Sequence, residues 1–168
     1  MTREESGEWA LRTELAHGDI GQIVWLHGAL YAQEYGFDET FEAYVAEPLG
    51  RFVIERSERE RIWLAERAGR IEGVVAVVRA ADEVAQLRWF LVHPDARGRG
   101  LGRLLLREAV EFARGSGYGE IFLWTVGELR AAGRLYEQAG FVREQAVPGR
   151  RWGKDVVEER YSLVLRSP

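Results

Sequence analysis

A glycine-rich segment, Arg97-Gly98-Arg99-Gly100-Leu101-Gly102, constrains the fold of this chain more than any other stretch. It follows an apolar run that ends at Val92, and Pro94 stops that run because proline cannot donate to a sheet ladder. The apolar side chains that follow recur at helical spacing, namely Leu101, Leu104, Leu105, Ala109 and Phe112. The pattern predicts a strand, a tight loop and a long helix in succession.

Such a loop offers hydrogen-bond donors of the main chain. The first amides of a helix have no partner within the helix, and the positive end of the helix dipole lies at the same place. Arg97, Arg99 and Arg103 add fixed positive charge around the loop. The segment is therefore suited to bind a phosphate or a pyrophosphate group.

Three other interpretations of the loop compete with this one. Its glycine order differs from the G-x-G-x-x-G of dinucleotide-binding folds, and no acidic residue ends the next strand at the usual distance. No Gly-Lys-Ser/Thr follows, which excludes a Walker loop. A surface turn whose glycines only relieve backbone strain remains open from the loop alone.

The same residues resemble the (Arg/Gln)-x-x-Gly-x-(Gly/Ala) loop of the GNAT superfamily of N-acetyltransferases. The spacing of Val92, Pro94 and Arg97 is similar to the pattern that precedes the loop in that family. Further along, residues 135–141 read Leu-Tyr-Glu-Gln-Ala-Gly-Phe and resemble the family's Leu-Tyr-Glu-x-x-Gly-Phe signature. The chain is therefore identified as a member of this superfamily.

The resemblance implies a fold of the α/β (α+β) class, with a single domain over residues 1–168. It implies a mixed, mostly antiparallel sheet of six to seven strands, with a splayed central parallel pair and about four flanking helices. It also implies acetyl-CoA as the donor, with its pyrophosphate on the loop and its pantetheine arm between the splayed strands. The implied cofactor-binding residues are Phe90, Leu91, Val92, Arg97, Gly98, Arg99, Gly100, Leu101, Gly102 and Arg103.

The rest of the chain supplies strand and helix patterns that fit this architecture. The predicted strands are 9–15, 62–67, 71–78, 85–92, 120–126, 142–147 and 156–165, and the predicted helices begin at residues 20, 38, 101 and 129. Gly36 ends the first helix, Asp38 caps the second, and Gly73 predicts a bulge within a strand. The succession of strand, helix and strand over 85–126 predicts a parallel pair with a right-handed crossover.

Composition narrows the class of protein. There is no cysteine, and the three histidines His17, His27 and His93 are scattered, so we expect no disulfide and no metal site. No apolar segment reaches the length of a membrane span, and the N-terminus lacks the apolar core of a signal peptide. We therefore expect a cytoplasmic protein without a membrane partner. The net charge of −4 argues against nucleic acid as a partner.

Charge is unevenly divided along the chain. Residues 1–60 carry 13 acidic and 5 basic side chains, whereas residues 61–168 carry 14 acidic and 18 basic ones. If the acidic part lines the acceptor site, a cationic amine is favoured there. The alternative is that these carboxylates only solvate helix faces. Glu34, Tyr35 and Phe37, between the first two helices, either contact the substrate or belong to ordinary helix-end packing.

Acetyl transfer from a thioester to an amine benefits from a proton donor for the departing sulfur. Tyr136, in the second signature, is the predicted catalytic residue, because a phenol keeps its proton at pH 7 and can pass it to a thiolate. Its alternative role is packing in the core. The general base stays open among Glu83, Glu34 and a chain of water molecules.

Several positions depart from the pattern of the family. Arg88, Trp89 and Trp124 stand at or near positions where some members carry a glutamate, and Leu129 stands where many carry an asparagine that contacts the cofactor. Trp89, Trp124 and Trp152 could shape an aromatic pocket for the acceptor, with core packing as the alternative.

We therefore expect an acetyl-CoA-dependent N-acetyltransferase that acts on a primary amine of a small molecule or a protein. The alternative is a non-catalytic acyl-CoA sensor, and a DNA-binding regulator ranks third. Residues 123–125 and 152–155 give a narrower resemblance, to the acetyltransferase domain fused to MarR-type regulators, although no DNA-binding helix pair is predicted before residue 10. A homodimer is compatible with the sequence.

Overall fold

Eight strands and four α-helices make up the part of the chain that the computed structural model describes, residues 5–6 and 8–165. The strands are β1 (Glu5–Ser6), β2 (Trp9–Arg12), β3 (Arg61–Arg67), β4 (Arg70–Arg79), β5 (Val84–Val92), β6 (Glu120–Val126), β7 (Val142–Arg151) and β8 (Lys154–Val164). The helices are α1 (Asp19–Tyr35), α2 (Glu39–Glu55), α3 (Leu101–Gly115) and α4 (Arg130–Gln138), with a short 3₁₀ helix at Pro94–Ala96.

All eight strands join one mixed sheet in the order β1-β2-β3-β4-β5-β6-β8-β7. Neighbouring strands are antiparallel except β5 and β6, which run parallel and are connected through α3. The predicted α/β fold with one central parallel pair and four helices is confirmed. The sheet has one strand more than predicted because the two-residue β1 pairs with the start of β2.

The hairpin of β3 and β4 follows from its turn residues. Ala68 and Gly69 both have positive φ, 50° and 73°, as a two-residue turn of type I′ requires. The pairing register then shifts at Glu72, the extra residue of a bulge directly before Gly73. A Cβ atom on Gly73 would lie 2.8 Å from the side chain of Leu105, so glycine here lets α3 approach the sheet. The bulge predicted near Gly73 is thus confirmed.

The helices between β2 and β3 begin and end as their residues predict. Gly36, with a φ of 71°, closes α1. Asp38 caps α2 by accepting a hydrogen bond from the amide of Thr40 at 3.0 Å. At the start of α1, Asp19 accepts two hydrogen bonds from Arg12, at 2.6 and 2.9 Å. This pair joins α1 to the end of β2.

The sheet separates two apolar layers. Successive side chains of β4 alternate between them, as the two-residue period of a strand requires. Val75 and Val77 pack with α3, whereas Val74 and Ala76 pack with α1 and α2. Both faces of the central strands are therefore covered. Within the described ranges, every helix is too short or too polar to cross a membrane.

Three strand boundaries differ from the prediction by two residues or more. The first long strand ends at Arg12 instead of residue 15. Strands β7 and β8 extend to a two-residue turn at Trp152 and Gly153, which have φ values of 53° and 81°. Pro148 does not interrupt β7, because β7 is the last strand of the sheet and has a partner on only one side.

Candidate active site

The parallel strands β5 and β6 separate soon after they begin. They pair at only three positions, from Val84 to Gln86, opposite Glu120 to Phe122. The remaining residues of β5, from Leu87 to Val92, have no pairing with β6. The predicted splay of the parallel pair is therefore present, and it opens the sheet at the carboxyl ends of both strands. Ligands of open α/β sheets bind at this kind of edge.

Two cavities adjoin in this opening and share Tyr31, Phe90, Leu129 and Ala132. The larger one, about 640 Å³, is called the arginine cleft here; its charged lining consists of Arg97, Arg103, Arg130, Arg134, Glu34 and Glu128. The smaller one, about 120 Å³, is called the aromatic cavity; its lining includes Phe37, Phe41, Tyr44, Trp89, Trp124 and Trp152. The opening thus has a cationic side and an aromatic side.

The glycine-rich loop carries a row of unpaired main-chain amides. Within the described ranges, none of the amides of residues 98–103 donates a hydrogen bond to the protein. The amide of Arg97 donates to the carbonyl of Pro94, and that of Leu104 donates to the carbonyl of Gly100 at 3.0 Å. Gly100 precedes α3 with a φ of 88°, which is unfavourable for other residues. The loop therefore leaves a set of donors free at a helix N-terminus.

Nine of the ten predicted cofactor-binding residues line the arginine cleft, namely Phe90, Leu91, Val92, Arg97, Gly98, Gly100, Leu101, Gly102 and Arg103. The exception is Arg99. Its side chain pairs with Glu8 and lies over the ring of Trp9, with 5.6 Å between the guanidinium carbon and the ring centroid. The sequence cannot distinguish Arg97 from Arg99, because both flank the same glycines.

Four arginine side chains give the cleft its charge. Arg97 forms a bidentate pair with Glu34 of α1, at 2.5 and 2.9 Å. Among the described residues, Arg103, Arg130 and Arg134 have no carboxylate partner. The sequence analysis missed Arg130 and Arg134 of α4. They could have been found from topology, because residues that follow β6 lie at the same edge of the sheet as residues that follow β5.

A second bulge lies in β5 at the centre of the opening. Between Arg88 and Leu91, β5 has two residues opposite a single residue of β4. One of them, Trp89, has a φ of 50°, which is rare for a bulky residue. The extra residue places Arg88 and Trp89 on the same side of the sheet, towards α1 and α2, and turns Phe90 towards α3 and α4. No glycine marks this bulge, and it was not predicted.

The three tryptophans considered for an acceptor pocket all line the aromatic cavity. Trp89 and Trp152 are 7% and 8% exposed and also belong to the apolar layer beneath α1 and α2. Trp89 and Trp152 therefore both line the cavity and pack in the core, although the sequence analysis treated these roles as alternatives. The ring of Trp152 lies 5.1 Å from the rings of both Phe37 and Phe41. These contacts fix one wall of the cavity.

Tyr136 projects from α4 into the lining of the aromatic cavity and is 4% exposed. Its ring lies 5.9 Å from that of Phe90 on the open edge of β5, and 5.6 Å from that of Tyr161. Burial raises the pKa of the Tyr136 hydroxyl above its ordinary value of 10, and Tyr31 and Tyr161 add to the rise. The phenol therefore keeps its proton throughout the neutral range.

Two buried polar atoms in the lining of the aromatic cavity lack a hydrogen-bond partner within the described ranges, Nε2 of His27 and Nε1 of Trp89. Nδ1 of His27 lies 2.8 Å from the carbonyl oxygen of Ile23. A carbonyl can only accept, so Nδ1 holds the proton and Nε2 is a bare acceptor. Burial lowers the pKa of His27 from 6.5 to about 4, against the effect of the Ile23 bond. The imidazole is therefore neutral at pH 7.

Neither carboxylate that the sequence offers as a general base lines the aromatic cavity. Glu34 lines the arginine cleft, and Glu83 lies in the turn before β5 and lines neither cavity. Within the described ranges, the only carboxylate of the aromatic cavity is that of Glu158 on β8, which pairs with Arg151 at 2.7 Å. No motif marks His27 in the sequence, because it occupies a buried position of an ordinary helical stripe.

None of the described acidic side chains among the first sixty residues lines the aromatic cavity. Helices α1 and α2 contribute rings and aliphatic side chains to the aromatic cavity. Glu39, Glu42 and Glu47 of α2 are exposed. These carboxylates therefore solvate a helix face, and the basis for expecting a cationic amine is absent. Among the described residues, no group of three histidine, aspartate or glutamate side chains is arranged to hold a metal ion.

The sequence of this chain is similar to those of known acetyltransferases. The family model described as the acetyltransferase (GNAT) family matches residues 24–141. The N-acetylaspartate synthetase of Danio rerio is 34% identical over 103 residues, which cover 61% of this chain and 33% of that protein. The chain spans about a third of the length of the first curated relatives that it matches.

Solved structures share the fold over nearly the whole chain. A Salmonella typhimurium protein, described as an acetyltransferase with its cofactor acetyl-CoA, has a TM-score of 0.78 at 19% identity, covering 96% of both chains. The spermidine N-acetyltransferase of Vibrio cholerae, in complex with CoA and spermine, has a TM-score of 0.72 at 22% identity, covering 95% of this chain and 97% of that one. Since the family model matches well over half of its residues, this chain belongs to the acetyltransferase (GNAT) family.

Proposed function

We propose that the chain transfers the acetyl group of acetyl-CoA to a primary amine of a small molecule or a protein. The observation that carries the proposal is the opening between β5 and β6, with the unpaired amides of residues 98–103 on one side and the aromatic cavity on the other. A donor that lies along the open edge of β5 has its acyl end where the two cavities meet, beside Tyr31 and Phe90.

The residues of the arginine cleft fit the charges of acetyl-CoA. Amides at a helix N-terminus bind pyrophosphate, and the cleft carries four arginines against two glutamates. We assign the pyrophosphate to the amides of residues 98–103 and to the guanidinium groups of Arg97 and Arg103. Arg99 then contributes through its amide alone. Phe90, Leu91 and Val92 present the open strand edge to the amides of the pantetheine arm.

Tyr136 is assigned as the proton donor. When bound, acetyl-CoA supplies a thioester whose carbonyl carbon the amine attacks. Tyr136 holds its proton at neutral pH and lies next to Phe90, so it can pass the proton to the departing sulfur. The bulge at Trp89 leaves one residue of β5 outside the ladder, and a free strand amide there can stabilise negative charge on the acyl oxygen.

His27 is assigned as the group that receives the amine proton. Its Nε2 atom is a bare acceptor in the lining of the aromatic cavity. With a pKa of about 4, His27 does not deprotonate a free ammonium ion. It accepts a hydrogen bond from the neutral amine and takes the proton once the nitrogen is bonded to the acyl carbon, which acidifies the N–H.

The named relatives support an amine as the acceptor. One relative is named as a synthetase of N-acetylaspartate, whose parent amine is the anionic amino acid aspartate. One structural neighbour is named for spermidine, a cationic amine. The substrate of this chain must therefore be inferred from its own cavity. The cytoplasmic location, the homodimer and the likeness to MarR-fused acetyltransferases remain predictions from the sequence.

The replacement Tyr136→Phe tests the function against the alternative of a non-catalytic acyl-CoA sensor. We expect turnover, measured as CoA release with a panel of primary amines, to fall about 100- to 1000-fold, because a positioned proton donor contributes about that much. The affinity for acetyl-CoA should not change.

The control for this experiment is Tyr118→Phe. Tyr118 is also buried, but its hydroxyl donates to the carbonyl of Arg59 at 2.9 Å and lines neither cavity. Full activity of the Tyr136 variant would refute the assignment of the donor. A wild-type protein that binds acetyl-CoA and acetylates no amine would support the sensor.

A further inference from the structure

Arg88 is a charged side chain of the aromatic cavity that the proposed reaction does not use. It lies beside the bulge of β5, with its guanidinium carbon 5.1 Å from the ring centroid of Trp89 and 5.8 Å from that of Tyr44. Among the described residues, no carboxylate forms an ion pair with it. Contact with rings occupies the faces of the guanidinium plane and leaves its N–H groups, which point outward from the edge, able to donate.

The cavity carries an excess of positive charge. Apart from Arg88, the only charged side chain in its described lining is Glu158, which already pairs with Arg151 at 2.7 Å. Arg151 in turn lies 5.1 Å from the ring centroid of Tyr44. Arg88 also lines a third cavity with Glu47, Glu55 and Glu60, but none of these carboxylates forms an ion pair with it. Since His27 is neutral at pH 7, Arg88 makes the aromatic cavity favour an anionic group.

The two unpartnered atoms define what else an occupant must offer. Nε1 of Trp89 is a donor, and Nε2 of His27 is an acceptor because Nδ1 donates to Ile23. Buried polar atoms without a partner are costly, and a ligand that satisfies them gains affinity. An occupant therefore needs a hydrogen-bond acceptor near Trp89, a negative charge near Arg88 and a hydrogen-bond donor near His27.

We propose that the acceptor is a small α-amino acid, an amine with a carboxylate on the neighbouring carbon. The carboxylate binds Arg88 and Nε1 of Trp89, and the amino group donates to Nε2 of His27. A polyamine or the lysine side chain of a protein has no such carboxylate. This proposal rests on the transferase function and deepens it by naming the class of acceptor.

The side chains of the cavity supply and accept every proton that this reaction moves. The nitrogen of the amino acid bonds to the acyl carbon while the C–S bond breaks. One amine proton passes to His27, the sulfur takes a proton from Tyr136, and proton exchange with water restores both side chains. The products are an N-acetyl amino acid and CoA.

Matched pairs of substrates test the proposal. Leucine is compared with 3-methylbutylamine, and phenylalanine with 2-phenylethylamine, since each pair differs only in the carboxylate. We expect kcat/KM to be at least about tenfold higher for the amino acids than for the amines, because one hydrogen bond to a charged group contributes about that much. In Arg88→Met the value for the amino acids should fall about 10- to 100-fold, mainly through KM, while that for the two amines stays unchanged.

Arg61→Met is the matched control. Arg61 also lies over two rings, those of Phe112 and Trp63, but it lines neither cavity. Its replacement should leave the ratio between the amino acid and the amine unchanged. Because the ratio is taken within one preparation, incomplete folding of a variant cancels. A preference for the amines without a carboxylate, or a ratio that Arg88→Met does not change, overturns the proposal.

Product binding separates a failure of this proposal from a failure of the transferase function. N-acetyl-leucine and N-(3-methylbutyl)acetamide are titrated in the presence of CoA, with the fluorescence of the cavity tryptophans as the readout. Tighter binding of N-acetyl-leucine that Arg88→Met abolishes supports the carboxylate site even if no amine is acetylated, which would refute only the function. Equal binding of the two products refutes the carboxylate site whatever the turnover.

Discussion

The two cavities of the opening recognise ligands in different ways. The arginine cleft depends on main-chain amides within six consecutive residues, 98–103, and on arginine side chains at its rim. The aromatic cavity is lined by side chains from α1, α2, β5, β6, α4, the β7–β8 turn and β8. These residues span the sequence from His27 to Glu158. One binding surface is local in the sequence, and the other exists only after folding.

The difference separates a binding surface formed by the main chain from one formed by side chains. A loop that binds through the backbone places few demands on side chains and can serve many acceptors. A cavity made of rings and a few polar atoms selects its occupant through those atoms. If the comparison is correct, changes in one region should leave the function of the other intact.

The largest expected effect is on the free energy of unfolding, and it comes from the burial of His27 at the aromatic cavity. His27 has a pKa of 6.5 when unfolded and about 4 in the fold, so between these values only the unfolded chain binds the proton. The free energy of unfolding should therefore fall as the pH decreases from about 6.5 to 4, by about 3 kcal/mol at about 1.4 kcal/mol per pH unit.

Urea unfolding at several pH values measures this effect, with His27→Leu as the test and His17→Leu as the control. The His27 variant should lose this part of the pH dependence, and the variant of the exposed His17 should keep it. Identical curves for the wild type and the His27 variant would show that water reaches the aromatic cavity as freely as it reaches the arginine cleft.

The second effect separates two arginines of one loop. We expect Arg97→Met to weaken binding of acetyl-CoA about 10- to 100-fold, because a guanidinium that lines the cleft is lost. Arg99→Met should leave the affinity nearly unchanged, since its side chain pairs with Glu8 away from the cleft. Isothermal titration measures both, and equal losses would show that the sequence motif, not the geometry, decides the role of each arginine.

The smallest effect tests the backbone of the loop. Gly100→Ala places a side chain at a φ of 88°, and Gly69→Ala does the same at 73° in the distant β3–β4 turn. Each should cost about 1 kcal/mol of stability. We expect only the Gly100 variant to bind acetyl-CoA more weakly, by about tenfold, because only its distortion moves the unpaired amides. Thermal unfolding and titration give the two readouts, and weaker binding by the Gly69 variant would contradict this account.

The loop of the arginine cleft could be predicted because the residues that form it are consecutive in the sequence. Glycines, a proline and the apolar period of α3 mark the loop, the end of the strand and the start of the helix in consecutive residues. The same holds for the hairpin at Ala68 and Gly69 and for the bulge at Gly73, where the residue type reports the backbone conformation. The strand order and the splay were available only from the family resemblance.

The aromatic cavity was not predictable, because its key features depend on the fold. Trp89 has a positive φ, although no glycine marks this conformation in the sequence. The bulge at Trp89 places Arg88 in the lining of the cavity. The burial that makes His27 neutral comes from residues distant in sequence. The charge count of the first sixty residues pointed towards a cationic acceptor, although none of the described carboxylates in that part of the chain lines the aromatic cavity.

The proposed function depends above all on the amides of residues 98–103, which bind the pyrophosphate of acetyl-CoA. The most direct measurement is a ¹H–¹⁵N NMR titration of the full chain with CoA. We expect saturable shifts for the amides of Gly98, Gly100 and Gly102, and none for Gly115 and Gly117 at the other end of α3. Unchanged resonances of the loop at saturating CoA would contradict this assignment.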